Sequence, residues 1–397
     1  MSESKVVICA VARTPIGKFM GAYRNLSAVE LGIQTVKEVM RRAGIDASSG
    51  IIDEVIIGQV IQAGAGQNPA RQVALGSGLP DSTPCMTLNK VCGSSLKAVM
   101  TAANSIKAGE YQCIIAGGIE SMTNAPHLLL NGRTGTKMGS SELLDSMIHD
   151  GLWDVYNDEH MGNTGESVAT EFSISRSDAD GFAARSQQRA AEASANGWFD
   201  WELFDVEVPQ RRSDSIYVKS DEGVRPGTTA EGLSGLRPAF QKDGIVTAGN
   251  ASTLSDGASA VLVTDSEFAA EQGWEVIATI EDFVTSGVEP ARVMAAPIPA
   301  VEQLLERNGM TVNDVDIFEH NEAFASASCA VAKGVGIPHD RFNLHGGAIS
   351  LGHPLGASGT RCLITMLGVM RRLEAATGIV TLCLGGGNAV AMFVRCP

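Results

Sequence analysis

One order of signals occurs twice in this chain, and that repetition restricts its architecture more than any other feature. Residues 27–43 carry the spacing of an amphipathic helix that ends at Gly44, and an apolar strand over 51–60 follows, introduced by Ile52-Asp53. Residues 298–308 repeat the helix, Gly309 closes it, and Val315-Asp316-Ile317-Phe318 repeats the strand. A second pair is clearer. In its first copy the apolar run Cys85-Met86-Thr87-Leu88, read as a buried strand, precedes Cys92-Gly93-Ser94-Ser95. A helix stopped by Gly109, a strand over 113–116 and Gly117-Gly118 come next. In its second copy Gly356-Ala357-Ser358-Gly359 leads into a helix over 361–374, a strand over 379–384 and Gly385-Gly386-Gly387. Such duplicated units predict an α/β protein of two similar parallel-stranded halves, sharing a ligand site beyond the carboxyl ends of their strands.

Residues 125–244 break the repeat. They hold Asn131-Gly132-Arg133-Thr134-Gly135, a helical run over 178–195 and polar connectors around Arg211-Arg212, too long an excursion for a linker and better read as a functional cap. The chain is therefore divided into a first half (1–124), a cap (125–244), a return to the first half (245–275) and a second half (276–397). A net charge of −15 with no basic block argues against nucleic acid as partner, but leaves room for an anionic small molecule in a locally basic pocket. No apolar run is long enough to span a membrane. The start, Met1-Ser2-Glu3-Ser4-Lys5, enters a strand-like run over 5–11 with no signal-type apolar region, so a cytoplasmic protein is expected. Eight cysteines without C-x-x-C spacing suggest neither a zinc site nor a disulfide framework.

Four polar spots fall at strand ends or turns. Cys92 stands where an extended run gives way to a helix. Ser94-Ser95 offer N-cap chemistry there, and the helix dipole and free amides would lower the thiol pKa, although a buried structural cysteine is the plainer reading of Cys92 alone. His353, between Gly352 and Pro354, sits on a rigid turn with its ring available. Asn321 in His320-Asn321-Glu322-Ala323-Phe324, taken alone, is better read as the cap of a helix starting near Ala323. Cys383 ends an apolar strand, as a core residue would. The amides of Gly385-Gly386-Gly387 suit either a tight turn or an oxyanion.

Together these stretches resemble a family. Val91-Cys92-Gly93-Ser94-Ser95, Asn321-Glu322-Ala323-Phe324-Ala325, the run from Asn343-Leu344-His345-Gly346-Gly347 through Gly352-His353-Pro354-Leu355-Gly356 to Gly359, and Cys383-Leu384-Gly385-Gly386 are similar to thiolase motifs, nearest to those of the biosynthetic, acetyl-CoA-condensing branch. The resemblance runs from about Val6 to Val394 and implies a five-layered αβαβα core with a loop domain over the coenzyme A site. It implies that Cys92 is acylated, that His353 assists its deprotonation, and that Cys383 removes the α-proton of a second acetyl-CoA. His353 and a water held by Asn321 would meet the enolate oxygen, and the amides of Cys92 and Gly385 the acyl-enzyme oxyanion.

For coenzyme A the same resemblance points to Ser252 and Ala248 in Thr247-Ala248-Gly249-Asn250-Ala251-Ser252, to His160 and Met161 as tunnel wall, to Arg225 near the adenine end, and to Phe240, Ala323 and Phe324 beside them. Acetyl-CoA, acetoacetyl-CoA and coenzyme A are the implied ligands, with no metal, no prosthetic cofactor, no membrane and no nucleic acid. A homotetramer is implied, a dimer being the alternative. Three departures stand out: Asn388 and Ala389 after the C-terminal glycines, and Ala296 in Met294-Ala295-Ala296-Pro297, where the added methyl groups would shift a strand end or narrow the acyl pocket. A degradative 3-ketoacyl-CoA thiolase of longer chain length and a non-catalytic acyl-CoA binder are the competing readings. The first is disfavoured by Cys92-Gly93-Ser94-Ser95-Leu96-Lys97, the second by a full set of catalytic positions.

Overall fold

A computed structural model describes residues 5–397; residues 1–4, part of the start read above as free of a targeting segment, lie outside them. The first half is built from strands Val6–Arg13 (β1), Glu54–Gly58 (β2), Cys85–Leu88 (β3), Cys113–Ser121 (β4) and Ser255–Asp265 (β5), with helices Ala28–Ala43 (α1), Pro69–Gly76 (α2) and Ser94–Lys107 (α3). Between β4 and β5 the insertion carries Met161–Glu171 (α4) and Arg176–Ala195 (α5). The second half holds Ala278–Gly287 (β6), Ile317–His320 (β7), Thr377–Leu384 (β8) and Asn388–Arg395 (β9), with Pro297–Arg307 (α6), Ala325–Val335 (α7) and Ser358–Leu373 (α8).

These strands hydrogen-bond in the order β7-β8-β9-β6-β1-β5-β4-β2-β3. Outward from the junction, the first half runs β1-β5-β4-β2-β3 and the second β6-β9-β8-β7, so the repeat in sequence is a repeat in topology. The counterpart of β3 shrinks to one parallel bridge, Phe318 to Phe342. Parallel pairing is confined to β2 with β3 and β4 and to β7 with β8, while the remaining pairs are antiparallel. Each half is thus mixed, not parallel as expected, because β5 and β9 return beside their neighbours in the opposite sense. In the strand ladder the halves are joined by β1 and β6, with Val7 opposite Thr279 and Ile8 opposite Ala278.

Strand alternation sorts the side chains into layers. Ile114, Ala116, Val261 and Val263 of one half and Val380, Leu382, Val390 and Met392 of the other close on a single core with α3 and α8. On the outer faces, Ile115, Ala260 and Leu262 pack on α1 and α2, and Ile379, Ala391 and Phe393 on α6 and α7. This is the expected αβαβα layering. It explains why α8 is buried all round from Ser358 to Met370, since sheets lie on both of its sides.

Local chemistry sets the element ends. Ser27 and Glu30 form a capping box at the start of α1, and Gly44 ends that helix at φ 68°. At α3 the expected serine cap is absent and Gly93 holds the cap position. The Ser94 hydroxyl instead donates to the Val91 carbonyl, and Ser95 accepts the Thr360 N–H at 2.9 Å, tying α3 to α8. β3 is a half-exposed edge strand, not a buried one, because it has a partner on one side only. Gly117 and Gly118 lie inside β4 instead of ending it. Among the described residues no helix is long and apolar enough to cross a membrane.

Candidate active site

Cys92 and His353 occupy equivalent places in the two halves, each on the loop that feeds a central helix, α3 or α8. Asn321 follows β7, and Cys383 lies near the carboxyl end of the parallel-paired β8. The Cys92 loop is strained and firmly held. Val91, a β-branched residue, sits at φ 45°. Its N–H donates to Asn89 Oδ1 at 2.9 Å, while Ser94 Oγ accepts the Lys90 N–H at 2.8 Å and donates to the Val91 carbonyl at 2.6 Å. Cys92 itself is half-buried and packs against Met122, Met147 and Leu355. These three side chains, with His353, line one cavity of about 330 Å³. Cys383 is buried behind it, its sulfur 3.7 Å from the Met294 sulfur.

The electrostatics correct one expectation. Burial pushes the Cys92 thiol up, and the nearby Cys383 adds to this, whereas the backbone amides of Cys92 and Gly385 pull it down. Desolvation therefore outweighs the helix terminus, and the resting group is the thiol. Cys383 is pushed up to about 12, again by burial. Both sulfurs need a proton acceptor before they can react. His353 is held down to about 3 by burial and then by Arg361, so its imidazole is neutral.

Its tautomer follows from its partners. Ser358 Oγ donates to the Pro354 carbonyl at 2.8 Å and therefore accepts from His353 Nδ1, 2.6 Å away. Nε2 therefore carries the lone pair and accepts the Asn321 amide N–H at 3.3 Å. The Asn321 side chain is thus not a helix cap: Phe324 holds that position on α7, with no side-chain bond. Arg361 donates to Asn321 Oδ1 at 3.4 Å, and the Cys362 thiol lies 3.8 Å from the same oxygen, which turns the amide nitrogen toward the histidine. Arg361 also pairs with Glu319 at 3.1 Å, both fully buried. On the other side the buried Glu120 carboxylate accepts the N–H groups of Gly356, Val60 and Ile61, pinning the His353 loop to the first half. Ser358, Arg361, Cys362 and Glu120 were not singled out from the sequence. Only the knowledge that α3 and α8 abut, with Gly356 on the first half, brings them to the site.

The cap supplies the remaining wall. His160 starts α4, its Nδ1 accepting the Gly162 N–H at 3.0 Å, and its ring stacks on Phe240 at 4.8 Å. Glu166 of α4 accepts the N–H groups of Ile245 and Val246, and Asn250 bonds Asp180 of α5, so the 245–252 segment is fastened to the cap. His160, Phe240, Ala248, Ser252 and Phe324 all line the cavity. Ala323 is buried behind it, its carbonyl accepting the Ser252 N–H at 3.0 Å, and Met161 packs into the same apolar cluster. Arg225 is exposed and does not line the cavity, because the turn carrying it runs over the outside of α5, where its N–H meets Gln187. Ala389 is the register partner of Cys383, so its methyl sits beside that thiol on the same face, and Ala296 is fully buried.

Residues 6–267 match the family description "Thiolase, N-terminal domain" and residues 274–396 "Thiolase, C-terminal domain". An acetyl-CoA acetyltransferase of Cupriavidus necator is 49% identical over 390 residues, covering 98% of this chain and 99% of that protein. A probable acetyl-CoA acyltransferase of Staphylococcus aureus is 48% identical over 391 residues, with 98% and 99% covered. The crystal structure of the Bacillus anthracis acetyl-CoA acetyltransferase superposes with a TM-score of 0.97 at 36% identity, covering 100% of this chain and 99% of that one. With matching domains over both halves and relatives of this identity along nearly the whole length, the chain belongs to the thiolase family, as an enzyme of the acyltransferase class.

Proposed function

We propose that the protein is an acetyl-CoA C-acetyltransferase, joining two acetyl-CoA molecules into acetoacetyl-CoA and free coenzyme A, and running the reverse thiolysis. The observation that carries this reading is that Cys92, with the Cys383 thiol near it, packs against Met122, Met147 and Leu355, the side chains that line one cavity together with the neutral imidazole of His353. A simple acyl carrier needs one nucleophile; a carbon–carbon bond-forming enzyme needs in addition a base for the α-proton.

The proton count closes on these groups. His353 Nε2 takes the Cys92 proton as the sulfur attacks the first thioester carbonyl, and the oxyanion is met by the amides of Cys92 and Gly385, a donor of this kind contributing about 3 kcal/mol. Coenzyme A leaves as thiolate and takes the Cys383 proton. The Cys383 thiolate then removes the α-proton of the second acetyl-CoA, whose enolate oxygen faces His353 and a water on Asn321. The enolate carbon attacks acetyl-Cys92. The departing Cys92 sulfur recovers the proton from His353, and all three groups return to their starting state. Two substrates thus react in ping-pong order. The cavity bounded by His160, Phe240 and Ser252 is suited to the pantetheine arm, its lining being apolar with few polar groups. Coenzyme A enters as substrate, with no further cofactor, and the assembly is a homotetramer.

Mass spectrometry after brief exposure to acetyl-CoA tests the first half-reaction. An acetyl group on the Cys92 peptide of the wild type, absent from Cys92→Ser, is expected; a folded wild type that gains no acetyl group refutes the proposal. Thiolysis rates with acetoacetyl-CoA and with a medium-chain 3-ketoacyl-CoA then separate the acetyl-specific reading from a broader one. Ala389 beside Cys383 supports the shorter chain.

A further inference from the structure

The nucleophile loop and the glycine turn between β8 and β9 come from opposite halves and touch directly. A Cβ on Gly93 would meet Leu384 Cδ2 at 2.3 Å, and one on Gly385 would meet Val91 Cγ1 at 3.3 Å. The turn between them, Gly385-Gly386-Gly387, has little intrinsic rigidity: Gly386 and Gly387 sit at φ 85° and 83°, where glycine alone is at ease. Its own half holds it through the pairing of Asn388 with Leu384 and Gly287 at the start of β9 and through the Val288 N–H, which donates to the Gly387 carbonyl at 2.7 Å. A further tether crosses between the halves. Lys90 Nζ donates to Asn388 Oδ1 at 3.1 Å, both residues half-buried and 298 positions apart. Lys90 can bear such a tether because its own backbone is fixed: its N–H donates to Ser94 Oγ at 2.8 Å and its carbonyl accepts the Gly93 N–H at 3.1 Å.

We propose that Lys90 and Asn388 are a pair of positioning residues, a strap that holds the Gly385 amide against the Cys92 sulfur and so sets the reactivity of the nucleophile. The inference rests on the roles given above to Cys92 and Gly385. It also gives a use to Asn388, one of the positions at which this chain departs from the family pattern. Without the strap the glycine turn moves away from Cys92, the thiolate loses an amide donor, and less thiolate is present at any pH.

The test is a double-mutant cycle read on the ligand-free protein by the rate of iodoacetamide alkylation of Cys92, with kcat and KM for acetyl-CoA measured beside it. Lys90→Met and Asn388→Ala are each expected to slow alkylation and lower kcat about fivefold, the loss of one charge-assisted hydrogen bond at a partly exposed site. KM stays unchanged, the double variant is no slower than either single one, and Lys90→Arg, which keeps a charged donor, remains near wild type. Asn388→Ala at wild-type rate would overturn the proposal, since Lys90 would then act by charge alone. Losses that multiply in the double variant would overturn it equally. Should Asn388→Ala not fold, Asn388→Met removes the same acceptor. Because alkylation needs no acetyl-CoA, a coupled cycle in a protein whose Cys92 never becomes acetylated would refute the proposed activity and leave the strap standing.

Discussion

At the scale of single residues, His353 and Asn321 are oriented by hydrogen bonds from α8. Cys92, His353, Asn321 and Cys383 stand at motif positions, whereas Ser358 and Arg361 act through them from inside α8. Ser358 decides which ring nitrogen of His353 carries the proton. Replacing it by alanine frees the tautomer, and kcat is expected to fall about tenfold, the value of one hydrogen bond of about 1.4 kcal/mol, with KM little changed. Steady-state kinetics with acetyl-CoA check this, and an equal rise in KM would instead place Ser358 in substrate binding. The lowered thiol pKa expected at Cys92 failed for a physical reason that a linear sequence hides. Helix-terminus stabilisation depends on amides that are visible as a pattern, while desolvation depends on which distant segments cover the sulfur, here those carrying Met122, Met147 and Leu355.

Among elements, close approach is what assembles the site. A Cβ on Gly118 of β4 would lie 2.0 Å from the Gly356 carbonyl, and one on Gly359 would lie 2.5 Å from the Leu96 nitrogen, so strand, loop and both central helices pack backbone to backbone. Gly118→Ala must displace the His353 loop; a destabilisation of about 3 kcal/mol or more and loss of most activity are expected. Gly44→Ala is the control. It has φ 68° but open space around its Cβ, so it should cost only about 1 kcal/mol and leave kcat intact. Denaturant unfolding and kinetics on the two variants measure the contrast, and similar effects from both would contradict the close-packing account. Helix boundaries were legible to within a few residues, as at Ala28–Ala43 and Pro297–Arg307, because caps and apolar period are local. The exposure of Cys85–Leu88 was not, since being an edge strand is a property of the whole sheet.

Over the whole molecule, buried titratable groups shape the response to pH. His320, His345 and His353 are held near 3, from 6.5, by burial. The unfolded chain binds the extra protons between those values, so stability falls as pH drops from about 6.5 toward 3. Glu120 and Glu319 are raised from 4.5 to about 7 and about 8, again chiefly by burial. Here the folded chain holds the extra protons, so this contribution is lost as pH rises from about 4.5 through 8. Burial also lowers His160 and His339 and raises Glu202, Glu322 and Asp256, so the histidines weaken the fold on the acid side and the carboxyls weaken it on the alkaline side. Chemical denaturation across pH should therefore give a maximum between about pH 4.5 and 7 with stability falling on both sides, and a stability that climbs steadily to pH 9 would contradict the burial of Glu120 and Glu319.

By itself the sequence determined the duplicated α/β plan, the αβαβα family resemblance and the motif positions of Cys92, His353, Asn321 and Cys383, because period, caps and motif chemistry are local and survive in a linear reading. The tertiary structure alone decided the mixed strand senses, the neutral state of both thiols and the imidazole, and the partners that orient His353 and Asn321. Those depend on contacts between segments hundreds of residues apart, such as Ser95 with Thr360, Glu120 with Gly356 and Lys90 with Asn388. Each is set by how the two halves pack about α3 and α8, and desolvation acts only once that packing has formed.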